Sequence, residues 1–146
     1  RLQKFRISRM AQMPHRFTYR VRFRECDPMG IVFHSHYLDW FEYARTEALR
    51  DFGLPYKVIQ DGGVTLPVVD LAIKYHKSAQ YDDLVTIETT PSLSQSNLRL
   101  TCSYRVLRSS DQQLLVTGHV TLCFLQEGRS RPVPAPLFLQ KALNEG

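Results

Sequence analysis

Residues 35–53 read SHYLDWFEYARTEALRDFG, and the fold turns on how that run is read. At about 100° per residue, Tyr37, Leu38, Trp40, Phe41, Ala44, Ala48, Leu49 and Phe52 cover roughly half of a helix circumference. That arc is wider than the stripe of a surface helix. It predicts a helix over 35–52, with Ser35 at the N-cap and Gly53 as the stop before Pro55. A helix so broadly apolar must be enclosed, and the rest of the chain has to supply the wall.

On the N-terminal side, Phe17, Tyr19, Val21 and Phe23 alternate with Thr18, Arg20, Arg22 and Arg24, which predicts a half-buried strand over 17–24. On the C-terminal side, a short helical turn near 56–60 and a Gly62-Gly63 break lead into strands at 64–75, 83–90, 96–108 and 113–125. The links at 78–83 and 109–112 are short, so neighbouring strands should run antiparallel. One long helix on five antiparallel strands is an α+β, two-layer domain spanning 15–146. Apolar positions such as Leu115 and Leu125 are read as lying on the uncovered face of the sheet, so a second copy of the chain is expected to bury it.

The chain has 146 residues, 43% of them hydrophobic, enough for one domain with a real core. The net charge of +5 suggests a nucleic-acid binder until it is located. Residues 1–24 hold eight Arg and Lys and no acid, leaving eleven basic against fourteen acidic residues from Glu25 onward. Residues 1–14 are read as a basic extension, disordered or extraneous to the fold. No apolar run reaches the length of a membrane span or a signal peptide. Cys26, Cys102 and Cys123 are too far apart for a zinc knuckle and odd in number for a disulfide framework. A cytoplasmic protein with no nucleic-acid partner and no membrane span is expected.

Before the helix lies RECDPMGIVFHSHY, residues 24–37, with a thiol, two carboxylates and two imidazoles. His34 and His36, two apart, would point away from one another on a helix, and the spacings of zinc enzymes are missing, so no metal is expected. Nothing near Cys26 marks its thiol as a nucleophile. Asp27-Pro28-Met29-Gly30 has the composition of a turn, and it leads straight into a helix N-terminus, where free N–H groups favour an anion. A carboxylate beside such donors suits thioester hydrolysis. A thiol of pKa about 8.5 leaves without help from a general acid, so no Ser-His-Asp triad is needed.

The runs ECDPMGIVFHSHYLDWFEYARTEALRDFGLP and LPVVDLAIKYHKSAQYDDLVTIET, within residues 15–126, resemble the hotdog-fold acyl-CoA thioesterases of the 4-hydroxybenzoyl-CoA thioesterase group. The resemblance implies a long helix wrapped by a five-stranded antiparallel sheet, in dimers or tetramers that share active sites. It implies Asp27 as the catalytic carboxylate and the backbone N–H of His34 as the donor to the thioester oxygen. Pro28, Gly30 and Tyr37 would shape the loop, and Leu66 and Val68 would line the acyl pocket from a partner subunit. Where the 4-hydroxybenzoyl enzyme carries a basic run for the nucleotide phosphates, this chain has Ser94-Gln95-Ser96-Asn97. Lys74 and Lys77, with Ser96 and Asn97, are then the candidate CoA contacts.

The function expected is hydrolysis of short, medium or aromatic acyl-CoA to acid and CoA, with no cofactor beyond the substrate's own CoA. Acyl carrier protein is an alternative carrier. A non-catalytic acyl-thioester binder on the same fold is the alternative function. On the helix, Glu42 and Arg45 are read as a polar pair.

Overall fold

The computed structural model describes residues 14–144; the extension read at 1–14 therefore falls, apart from Pro14, outside the described residues. Strands β1 (His15–Arg20), β3 (Val68–Tyr75), β4 (Leu84–Leu93), β5 (Arg99–Arg108) and β6 (Leu114–Cys123) form one sheet in the order β1-β4-β5-β6-β3. All four pairings are antiparallel. Helix α1 (His36–Asp51) lies on its inner face, followed by α2 (Tyr56–Asp61), and α3 (Leu137–Asn144) closes one end. Two-residue strands β2 (Val64–Thr65) and β7 (Leu125–Gln126) pair separately.

The wide arc of α1 is buried as its spacing demands. Tyr37, Trp40, Phe41, Ala44, Ala48 and Leu49 all join one core with inward residues of β4, β5 and β6. Phe41 stacks flat on Tyr104, ring centroids 4.2 Å apart at 5°. It fits because β6 carries Gly118 there: a Cβ at 118 would sit 2.9 Å from Phe41 Cε2 and 2.8 Å from the Ala72 carbonyl oxygen. Arg45 donates to the Tyr104 hydroxyl at 3.1 Å, so its partner is the sheet and not Glu42, which is exposed.

Several expected boundaries move. The first strand ends at Arg20, where its ladder on β4 ends at Leu84; beyond it the alternation continues without a partner strand, and Phe23 is left 77% exposed. The strand expected over 64–75 divides at Pro67, which has no N–H to give a ladder. Leu115 is fully buried, which corrects its placement on the uncovered face. The β5–β6 register shifts between Val106 and Leu107, and the consecutive residues Leu115 and Val116 both enter the core. Leu125 is half-buried in β7. The uncovered apolar surface lies instead along the edge strand β3, where Val68, Val69, Leu71 and Tyr75 are each nearly half exposed. No helix among the described residues is long and apolar enough to cross a membrane.

Candidate active site

The site is built where β1 leaves the sheet. After Val21 the chain makes a 3-10 turn, Phe23–Glu25, and then a miniature hairpin, with Cys26 and Val32 bridged across its base. At its tip, the Gly30 N–H donates to the Asp27 carbonyl at 2.9 Å and the Asp27 N–H to the Ile31 carbonyl at 2.8 Å. Gly30 sits at φ +81°, the left-handed residue that closes such a turn. Asp27 Oδ1 accepts the Met29 N–H at 2.8 Å. Its other carboxylate oxygen meets no donor among the described residues.

The return limb is anchored on both sides. Val32 N–H donates to the Ala79 carbonyl at 2.9 Å, and Phe33 N–H to the Glu25 carbonyl at 2.9 Å. The next two residues, His34 and Ser35, turn the chain into α1. Ser35 occupies the N-cap position as expected, but in helical backbone and with no side-chain capping hydrogen bond. The His34 N–H, in the turn just ahead of α1, makes no hydrogen bond among the described residues, while its carbonyl accepts the Tyr75 hydroxyl at 2.9 Å. Tyr37 is buried, its hydroxyl accepts the Ala79 N–H at 3.1 Å, and its ring meets that of Tyr75 edge-on at 5.6 Å. Burial pushes both phenols above their ordinary pKa.

Asp27, Phe33, His34, Tyr37, Tyr75 and Lys77 line a cavity of about 270 Å³. It joins a carboxylate, an unengaged helix-start residue and aromatic walls. The Cys26 thiol is held above the usual thiol range by burial first, then by the charges of Glu25, Asp27 and Asp83, so at neutral pH it stays protonated. The two imidazoles part company: His34 packs on the Phe33 ring at 4.3 Å, and His36 Nδ1 lies 3.2 Å from Asp39. Among the described residues no three His, Cys, Asp or Glu side chains group as metal ligands.

A model of the family described as "Thioesterase-like superfamily" matches residues 21–143. The chain belongs to that superfamily. Acyl-CoA thioesterase YbgC of Haemophilus influenzae is 30% identical over 129 residues, covering 88% of this chain and 93% of that protein. The 4-hydroxybenzoyl-CoA thioesterase of Pseudomonas sp. is 37% identical over 73 residues, 48% of this chain and 52% of that one. The crystal structure of a DHNA-CoA thioesterase from Staphylococcus aureus superposes with a TM-score of 0.83 at 27% identity, covering 90% of this chain and 89% of that one. The chain spans about half the length of two of the curated relatives it matches.

Within this thioesterase-like chain the remaining candidates scatter. Pro28 and Gly30 are in the Asp27 turn, exposed. Leu66 is only 7% exposed and belongs to the chain's own core, whereas Val68 is open on the edge. Lys77 lines the Asp27 cavity, but Lys74 opens on a separate shallow hollow with Ser103, Thr117 and His119 on the outer face. Ser96 and Asn97 lie at the β4–β5 turn, past the far end of a ten-residue strand, roughly 30 Å from the end beside Asp27. Two site residues escape a sequence reading: Tyr75, which holds His34, and Glu25, fully buried two positions before Asp27. The one signal for Glu25 was Trp40 on the core face of the helix, whose indole N–H needs a buried acceptor.

Proposed function

We propose that this protein hydrolyses acyl-CoA thioesters in the Asp27 cavity. The observation that carries the reading is that Asp27, with one carboxylate oxygen unengaged, and His34, whose N–H has no partner among the described residues, line the same cavity. Asp27 takes a proton from water as the water adds to the thioester carbonyl. The oxygen of that carbonyl becomes an oxyanion held by the His34 N–H. Collapse of the intermediate breaks the C–S bond, and the CoA thiolate leaves as a good leaving group, so the imidazole of His34 has no part in the chemistry. Anchoring of Oδ1 by the Met29 N–H holds the carboxylate in its turn, which favours activation of water over direct attack on the carbonyl. The reaction needs no metal and no cofactor other than the CoA of the substrate.

Phe33, Tyr37 and Tyr75 give the cavity an aromatic wall suited to a short, medium or aromatic acyl group. Lys77 is the cation placed to meet the CoA phosphates. The half-exposed apolar residues of β3 would be covered by β3 of a second copy, in a dimer or a tetramer, and that copy would bring its Val68 toward this cavity. Acyl carrier protein is the alternative carrier. The three free cysteines fit a reducing, cytoplasmic setting. The test is free-thiol release from a panel of acyl-CoA substrates by wild type and Asp27→Asn. Turnover of at least one member that is lost in the variant is expected. Tight binding without thiol release would make the protein a carrier of acyl thioesters instead.

A further inference from the structure

Glu25 is 1% exposed, and every group around its carboxylate is a donor. Trp40 Nε1–H reaches it at 2.7 Å, the Tyr19 hydroxyl lies 3.0 Å from both oxygens, and the Arg22 N–H donates at 2.7 Å. The Arg22 guanidinium stands 3.6 Å away. The backbone carbonyl of Glu25 itself accepts the Phe33 N–H. One residue therefore grips the end of β1, the second turn of α1 and the residue before His34. Asp27 hangs two positions from it along one limb of the hairpin, and the His34 N–H hangs from the other limb. For packing alone an apolar side chain would serve as well or better than a buried charge. What a charge-assisted network adds is fixed geometry.

We propose that Glu25 is a positioning residue of the thioester site, setting the separation between the Asp27 carboxylate and the His34 N–H. The inference rests on the roles given above to Asp27 and His34. Glu25 does not touch substrate. It lies outside the set of residues that line the cavity, behind Tyr19 and Trp40. Its replacement acts through where the other two groups come to rest, and a shift of about 1 Å in reacting groups is worth roughly 10²-fold in rate.

Glu25→Gln swaps one acceptor oxygen for an NH₂ group that must face the donors of Trp40, Tyr19 and Arg22. Assayed well below its own melting temperature, it is expected to lose roughly 10- to 100-fold in kcat with KM within about twofold. Ile87→Val, in the core away from the cavity, controls for lost stability and should lower the melting temperature with kcat unchanged. If Glu25→Gln does not fold, Tyr19→Phe removes one donor, leaves the carboxylate, and should lose roughly three- to tenfold in kcat. Wild-type kcat in the folded variant, or a change confined to KM, overturns the inference. Asp27→Asn is measured alongside: if it stays active, the reading of the site has failed and this inference with it, whereas an inactive Asp27→Asn beside a fully active Glu25→Gln removes Glu25 alone.

Discussion

Where β4 begins, Asp27 keeps one carboxylate oxygen and His34 its N–H without a protein partner among the described residues. Where β4 finishes, the polar groups close on one another. Ser94 N–H donates to the Arg99 carbonyl at 2.9 Å, Arg99 N–H to Ser94 Oγ at 3.1 Å, and the Asn97 carbonyl accepts Ala135 N–H at 2.7 Å just ahead of α3. Both ends use tight turns with one left-handed residue, Gly30 at one and Asn97 at the other. The difference lies in what the turns do with their hydrogen bonds. A turn that satisfies itself only reverses the chain, whereas one that leaves an acceptor and a donor free beside a cavity can act on a ligand.

The harshest way to break the contrast is to remove the free acceptor. Asp27→Asn should lower kcat by roughly 10² to 10⁴ while leaving the thermal melt nearly in place, because among the described residues the carboxylate holds only one backbone N–H. Kinetics of thiol release, read beside a melting curve, checks both halves. Next in size is Leu71→Lys on the open edge of β3. Sedimentation should then find the 17.0 kDa monomer, with at least about tenfold loss of kcat/KM if a partner completes the cavity. A wild-type protein that is already monomeric would remove the shared site.

Gly30→Ala comes third. No atom lies within 4 Å of the added methyl, so only left-handed backbone strain acts, about 1–2 kcal/mol, visible as a drop of several degrees in Tm. Cys26→Ala should stay within about threefold of wild type, the thiol being a small half-buried side chain rather than a nucleophile. Because the pKa of Cys26 is raised, its thiolate appears at higher pH than that of a free thiol. Alkylation by iodoacetamide should be slow at pH 7 and climb only above the ordinary thiol range. The smallest effect belongs to the self-satisfied end: Ser96→Ala should leave kcat and KM within about twofold. A large rise in KM there would mean that the far turn of a partner meets the CoA.

The helix and the Asp27 turn were legible because each is encoded locally, one by an apolar arc at helical spacing and the other by Asp, Pro and Gly within four residues. The family resemblance carried the same two features to the hotdog thioesterases, and the family match agrees with it. What was not legible depends on partners distant in sequence. The alternation through Val21 and Phe23 cannot reveal that the ladder on β4 ends at Leu84, with only Val21 still bonded to the backbone of Asp82 and Asp83. Leu115 was assigned to the wrong face because a register shift shows in the pairing and not in the pattern. Glu25 looks like a surface acid until Tyr19 and Trp40, six and fifteen residues away, fold around it. Lys74 and Lys77, three apart on the chain, open on different surfaces for the same reason.

The missing side chain at Gly118 also governs which substitutions the lineage of this chain can explore. Shrinking Phe41 would relieve one of the two obstructions a methyl group at 118 would meet, yet the Ala72 carbonyl of the neighbouring strand would still stand at 2.8 Å. Position 41 can therefore drift among smaller apolar residues while 118 stays glycine, but 118 cannot change first. The dependence runs one way, and an alignment of relatives should display variety at 41 opposite an unvarying glycine, not paired exchange between the two.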